Sequence, residues 1–345
     1  MPRRSSIVVV AGRSIEVWDP VSGALQACVR MSPDQEWVST WELSPSGDWL
    51  LWGAKDAGLR VIDLQGRELS RLTLPPDAGS YFSAESPGLA TSGGIVYPDG
   101  SYEDRSRRLA PYQTACSVAV SPEGDAAIAA YGQAYALVWD LNAGKLKACL
   151  GEGSPPDRPV RIYRVAWAPF GQRGLTYDSA GQVRLWDLNT GRELLRRHTV
   201  SPLPNEGLDR PADMPGPAAL AGGLGAIGFA PNGRHVTAAD GAVVRLWNLV
   251  GGREGASWIG HGDMHPILSE HPGVPRISDV RFSAKGDRAL TVGVDATIRV
   301  WDVESGKQLW GLVPDPCCMD WADIAPDGRH VVWAACPGLR LYALR

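Results

Sequence analysis

The sequence predicts an all-β propeller, a closed ring of four-stranded antiparallel sheets, and three observations predict it. One apolar/polar phrase recurs along the 345 residues: IEVWDPVSGAL (15–25), LRVIDLQGREL (59–69), LVWDLNAGKL (137–146), VRLWDLNTGREL (183–194), VRLWNLVGGRE (244–254) and IRVWDVESGKQL (298–309). A second phrase precedes most copies: LSPSGDWLLWGA (43–54), VSPEGDAAIAAYG (120–132), WAPFGQRGLTYD (167–178), FAPNGRHVTAAD (229–240), FSAKGDRALTVGVD (282–295) and IAPDGRHVVWAA (324–335). Finally, 40 Gly and 27 Pro punctuate a chain with no sustained 3.6-residue apolar period, so the connections are tight turns and helices are not expected.

Each phrase is a hairpin. In the first, alternation ends in Asp or Asn and a Gly-containing turn, and a second extended segment follows. In the second, Pro sets φ and Gly supplies φ > 0 in a four-residue turn, and the apolar run that follows is short enough for a strand buried on both faces. Two hairpins give a unit of strands a, b, c and d. Such a sheet cannot cover both its faces alone, so successive units must stack, and closing the stack into a ring covers every one.

Two weaker copies, IVYPDGS (95–101) and LRLYALR (339–345), extend the set of strand-c anchors to Trp18, Ile62, Tyr97, Trp139, Trp186, Trp247, Trp301 and Tyr342. The N-terminus opens directly on IVVVAG (7–12), so the first unit has no inner strand in sequence. Two closures follow. In a seven-blade ring, ALQACVR (24–30) supplies the outer strand missing from the last unit. In an eight-blade ring, the first and last members are three-stranded; Trp18-Asp19 is a good anchor, and eight is favoured. Either way residues 1–345 form a single domain.

Composition excludes several function classes. A formal charge of −4 and a pI of about 5.9 lack the basic footprint of a phosphate-backbone binder, so no nucleic-acid partner is expected. No window approaches the ~20 apolar residues of a membrane span, and the run at Ile7–Val10 is too brief for a signal segment, which implies a cytoplasmic protein with no membrane partner. Cys28, Cys116, Cys149, Cys317, Cys318 and Cys336 form no CxxC pair, as expected of reduced, mostly buried thiols. There is no G-x-S-x-G, and Gly144-Lys145 and Gly306-Lys307 sit in hairpin turns without the other residues of a phosphate-binding loop.

Residues 199–225 and 253–276 depart from the regular period, and both fall between a strand d and the next strand a. The second holds His261, Asp263, His265, Glu270 and His271. Its H-G-D-M-H spacing is not the helical H-E-x-x-H, and Pro266 and Pro272 exclude a helix, so no metal or cofactor is assigned.

The Trp-Asp dipeptides at 18–19, 139–140, 186–187 and 301–302 and the Ser/Ala-Pro-x-Gly turns before them resemble WD-repeat proteins over nearly the whole chain. The resemblance implies that a Gly-His pair before strand a donates its imidazole to a buried Asp. A strand-b Thr and the strand-c Trp complete that network, here Asp295, Thr291 and Trp301, with His261 or His271 as the histidine. It also implies that Trp186 and Trp301 are packed between blades. In this fold the d–a and b–c loops and the start of each strand a gather at one end of the channel. Aligning the turn phrases puts Glu36, Trp37, Arg161, Tyr163, Arg164, Trp258, Asp279, Asp320 and Trp321 on or near that rim. Aromatic and Arg side chains favour binding hot spots. The reading is a non-catalytic scaffold that binds a protein or peptide on the rim, with no catalytic residues, and that forms part of a larger multi-module scaffold. The alternative is a propeller enzyme or a small-ligand or metal-binding protein using the 260–276 loop and the channel.

Overall fold

The turn phrases fold as their composition requires. At Gly47 and Gly286 φ is 76° and 70°, and each N–H closes the turn on the carbonyl three residues back, 2.9 Å from Ser44 and from Ser283. Only glycine adopts this conformation without strain. The computed structural model describes the chain apart from residues 1–6, 12–13, 19–21, 23, 31–39, 54–57, 74–88, 92–93, 97–101, 105–114, 132–134, 152–159, 200–225, 241–242, 250–253, 262–276, 294, 296, 314–321, 335–338 and 345.

Eight sheets follow one another among the described residues. The first is β1 (Ile7–Ala11), β2 (Ser14–Trp18) and β3 (Leu25–Arg30); the second is β4 (Trp41–Leu43), β5 (Trp49–Gly53), β6 (Leu59–Asp63) and β7 (Glu68–Leu72). The third, three-stranded, is β8 (Leu89–Thr91), β9 (Gly94–Val96) and β10 (Tyr102–Asp104). The fourth is β11 (Ser117–Val120), β12 (Ala126–Ala130), β13 (Ala136–Asp140) and β14 (Lys145–Leu150); the fifth is β15 (Ile162–Trp167), β16 (Arg173–Asp178), β17 (Gln182–Asp187) and β18 (Arg192–His198). The sixth is β19 (Ile227–Phe229), β20 (His235–Asp240), β21 (Val243–Asn248) and β22 (Glu254–Ile259); the seventh is β23 (Ile277–Phe282), β24 (Arg288–Gly293), β25 (Ile298–Asp302) and β26 (Gln308–Leu312). The last is β27 (Ala322–Ile324), β28 (His330–Ala334) and β29 (Leu339–Ala343). Strand order within each sheet is sequential, as hairpin joined to hairpin demands. Leu25–Arg30 pairs with Ser14–Trp18, so ALQACVR is the outer strand of its own sheet and not of the last one. No described helix is long and apolar enough to cross a membrane.

The chain divides into two compact units: Met1–Trp167 with Gln172–Thr176 and Trp186–Glu193, and Ala168–Gly171 with Tyr177–Leu185 and Leu194–Arg345. β13 in the first and β25 in the second are buried on both faces. In the first unit Trp139 packs with Leu51, Leu59 and Val61 of the preceding sheet, while its neighbour Val138 packs the opposite way, with Ile162 and Val165. In the second, Trp301 packs with Val244, Leu246 and Trp258, and Val300 with Ala322, Ile324 and Val331. Small partners make room for the indoles: Ala127 stands opposite Trp139 and Ala289 opposite Trp301. Trp186 is likewise buried, in the cluster with Val165 and Trp167.

Two local devices recur. Where the turn phrase begins with Ser it ends with Asp, and the pair bonds: Ser44 Oγ donates to Asp48 Oδ1 at 3.1 Å, Ser121 to Asp125 at 2.8 Å and Ser283 to Asp287 at 2.7 Å. Where it begins with Ala (Ala168, Ala230, Ala325) the fourth residue on is Gln172, Arg234 or Arg329. The Asp of the Trp-Asp phrase caps the c–d turn. Asp302 Oδ1 accepts the Ser305 N–H at 2.8 Å and hydroxyl at 2.6 Å, and Asp187 Oδ1 accepts the Asn189 and Thr190 N–H groups at 2.9 and 3.0 Å. The Ser305 and Thr190 hydrogen bonds hold these two carboxyls below their ordinary range. Among the described cysteines, Cys149 is half-buried and burial pushes its thiol up to about 11, whereas Cys28 is exposed, against the expectation of buried thiols.

Trp186 Nε1 donates to Thr176 Oγ1 at 2.9 Å and Trp301 Nε1 to Thr291 Oγ1 at 2.8 Å, but Trp139 Nε1 is buried without a partner. The residue ten positions before Trp139 is Ala129, which stands opposite Leu137 as Thr291 stands opposite Arg299. Ala129→Ser should therefore supply the missing acceptor and raise stability by about 1 kcal/mol. Chemical denaturation of the two proteins side by side checks it, and a loss of stability would show that the site has no room for the hydroxyl.

Candidate functional site

The first strands of several sheets carry charged side chains: Glu42 on β4, Arg164 on β15, Asp279 on β23 and Asp323 on β27. Counting back from the Ser or Ala of each turn phrase, Arg164 and Asp279 occupy the same step of β15 and β23. Arg161, Tyr163 and Arg164 are each half-buried. Their strand is tied to its neighbour by side chain to backbone contacts: Ser117 Oγ accepts the Val165 N–H at 3.2 Å, and the Cys116 thiol lies 3.5 Å from the Tyr163 carbonyl. One sheet earlier Glu42 Oε2 accepts the Val120 N–H at 3.0 Å. Glu42 was not among the residues the sequence singled out, although a carboxylate inside an otherwise apolar WEL strand is a signal of such a role.

In the second unit Asp279 belongs to a charged cluster. Its Oδ2 accepts the Arg281 Nε–H at 2.9 Å and its Oδ1 the Val280 N–H at 2.9 Å. Asp323, on β27, accepts the Ile324 N–H at 2.8 Å. Burial pushes the Asp323 carboxyl up; the Arg281 charge opposes this and the Asp279 charge adds to it. Two carboxylates thus share the field of one guanidinium. Arg281 and Asp323 escaped the sequence reading because they lie on different sheets, 42 positions apart.

Trp258 is the correction to the rim set. It is 0% exposed, stacked on Trp301 with centroids 6.3 Å apart and edge-on to Phe282, also at 6.3 Å. Strand alternation turns it into the inter-sheet core while Ile259 beside it faces water, so Trp258 has no surface to offer a partner. Glu36, Trp37, Asp320 and Trp321 lie outside the described residues, as do Asp263, His265, Glu270 and His271.

His261 is the histidine of the polar network. Its Nδ1 lies 3.0 Å from Asp295 Oδ1 and its Nε2 2.7 Å from Thr291 Oγ1. In the neutral ring these contacts select the tautomer in which Nδ1–H donates to Asp295 and Nε2 accepts from Thr291, whose oxygen also accepts from Trp301 Nε1. Thr297 Oγ1 donates to Asp295 Oδ1 at 2.8 Å and receives the Arg299 Nε–H at 3.2 Å. Two glycines make room: a Cβ on Gly293 would lie 2.2 Å from His261 Nδ1, and one on Gly260 would lie 2.8 Å from Trp301. The Gly-His pair is thus explained on both residues, and the ring nitrogens are committed to the fold.

Residues 264–302 match the family model described as WD domain, G-beta repeat, a span that includes Thr291, Asp295 and Trp301. That span is similar to one WD repeat. A chain in the crystal structure of the mitotic checkpoint complex is similar at a TM-score of 0.65 and 11% sequence identity, covering 99% of this chain and 85% of that one. At that identity the likeness speaks for the fold alone. No curated protein sequence matches the chain.

The network and the charged cluster yield two expectations. Thr291→Val keeps the shape but leaves Trp301 Nε1 and His261 Nε2 without their shared partner, so stability should fall by about 1–3 kcal/mol; thermal unfolding reads it, and an unchanged melting temperature would refute the directional network. For Asp323, a folded-state pKa raised above the unfolded value means that the ionised form opposes folding at neutral pH. Asp323→Asn should therefore stabilise the protein near pH 7, and the gap should close as pH falls through the raised pKa, where the wild type becomes protonated. Denaturation midpoints from pH 7 down to 4 test the sign.

Proposed function

We propose that the sheets are the blades of a single closed, eight-bladed WD-repeat propeller over residues 1–345 that acts in the cytoplasm as a non-catalytic scaffold, binding a protein or peptide on its rim. The observation that carries this reading is Arg164. Arg164 is half-buried on β15, and a guanidinium carries five donors in a fixed fork. A partly desolvated arginine beside Tyr163 has the make-up of a hot spot. Asp279 supplies the opposite charge at the equivalent step of its own strand, and a segment carrying both signs suits that pattern. Glu36, Trp37, Asp320 and Trp321 extend the proposed surface by their place just before inner strands.

The competing reading places a metal or substrate on the 260–276 loop. Against it, His261 already gives both ring nitrogens to Asp295 and Thr291. Peptides selected on the wild-type protein from a displayed library decide between the two. Arg164→Glu and Trp321→Ala should each weaken the selected peptides by more than about 1 kcal/mol at unchanged melting temperature, while His265→Ala leaves binding intact. If His265→Ala alone abolishes binding and lowers metal content, the loop is the site and the rim reading falls.

A further inference from the structure

The a–b turns of the second unit are seated one against the next and form a ledge. A Cβ on Gly233 would lie 3.3 Å from Phe170 and 3.9 Å from Pro169, one on Gly286 would lie 3.3 Å from Pro231, and one on Gly328 would lie 3.2 Å from Ser283. Each turn is also pinned from behind. Leu249 N–H donates to the Arg234 carbonyl at 2.7 Å, Val303 N–H to that of Asp287 at 3.0 Å and Leu344 N–H to that of Arg329 at 2.6 Å, so the last residue of each turn is held at an equivalent place. Strand b separates its a–b turn from its b–c turn, and the ledge therefore lies at the opposite end of these sheets from the b–c turns.

Phe170 is the exception among the turn residues. It is 68% exposed and occupies the position that holds Ser46, Glu123, Asn232, Lys285 or Asp327 in the other turns. Turn chemistry asks for no aromatic there, since Pro169 sets φ and Gly171, at φ 71°, takes the left-handed place. The side chains next along the ledge are basic: Arg234 and Lys285 are both exposed. The turns 169–171, 231–234 and 284–287 carry one carboxylate, Asp287, which accepts the Ser283 hydroxyl at 2.7 Å. Asn232 is taken up within its own turn, where its Oδ1 accepts the Arg234 N–H at 2.9 Å. In the last sheet the basic character ends, because Asp327 stands there and meets His330 Nδ1 at 2.9 Å. An aromatic surface followed by two cations is thus presented on rigid turns, in a chain whose formal charge is −4.

We propose that this ledge binds an extended acidic segment of a partner protein, one apolar side chain resting on Phe170 and two carboxylates meeting Arg234 and Lys285. Packed sheets stand about 10 Å apart and an extended chain advances about 3.3 Å per residue, so carboxylates three residues apart reach successive turns. The aromatic contact supplies buried area, and the charges supply steering and choice of partner. The site uses none of the rim residues and stands or falls apart from the rim reading.

The probe is the peptide DLEDSEDS, labelled with a fluorophore and titrated with the full chain. Anisotropy should report saturable binding that weakens as salt is raised. Phe170→Ser installs the residue of the second sheet's turn, so the melting temperature should hold while binding weakens about fivefold or more. The peptide with Ser in place of Leu should show the same loss on the wild type and no further loss on Phe170→Ser. Arg234→Glu and Lys285→Glu should each weaken the acidic peptide, and Arg234→Glu should favour the peptide in which Lys replaces Glu. The proposal is overturned if the peptide fails to bind at millimolar concentration, if Phe170→Ser leaves binding unchanged, or if the Leu and Ser peptides bind the wild type equally. It is also overturned if Arg164→Glu abolishes binding while Arg234→Glu does not, which would move the peptide to the rim. A dimer in sedimentation that Phe170→Ser disperses would overturn it too, by making a second copy the occupant.

Discussion

A four-stranded sheet with apolar side chains on both faces has no stable existence alone, and the organisation of this chain depends on that constraint. Strand c shows it most directly, since Trp139 and Val138, or Trp301 and Val300, are consecutive residues that need two different neighbouring sheets. Burying a large apolar side chain is worth roughly 1.5–3 kcal/mol, and the fourth and seventh sheets contribute many to the clusters on either side. The small residues opposite the indoles, Ala127 and Ala289, follow from the same demand, because close approach of adjacent sheets leaves no space for two large side chains at one level.

Polar groups caught in these interfaces are handled in more than one way. The seventh sheet satisfies them with the His261–Thr291–Trp301 chain and Asp295. The fifth retains the Thr176 to Trp186 bond, while Asp178 takes backbone donors from Ala180 and Gln182 and lies 3.5 Å from Arg184. Burial still pushes the Asp178 carboxyl up, a sign that its charge is held at a cost. The fourth sheet has Ala129 where the fifth and seventh have Thr, and Trp139 Nε1 is left unpartnered. A shared strand pairing thus accommodates a full network, a partial one or none, because packing supplies most of the stability and the polar contacts mainly prevent losses.

The first strands of the sheets carry polar side chains in different settings. Glu42 and Ser117 lace one strand a to the backbone of the next, whereas Arg164 lies half-buried on β15. Asp279, Arg281 and Asp323 sit between these extremes: the ion pair satisfies Arg281, but the second carboxyl is held by burial above its ordinary range. Such a cluster responds to any charge brought near it, which is a property a recognition surface can use.

The sequence by itself determined the strands, the turns and the order of the sheets, because these rest on contacts between residues a few positions apart. The Ser–Asp clasp across four residues, the glycine at positive φ and the Asp that caps the c–d turn are all written locally, and so is the Thr ten residues before its Trp. The choice between His261 and His271, and the burial of Trp258, were decided by the tertiary structure. Trp258 reads in sequence as one more aromatic beside an insertion, and only the approach of Trp301 and Phe282 from the next sheet places it in the core. Arg281 and Asp323 were invisible for the same reason: alternation tells which face of a strand a side chain occupies, but the residue met across the gap depends on how two sheets pack, and no period within one strand encodes that.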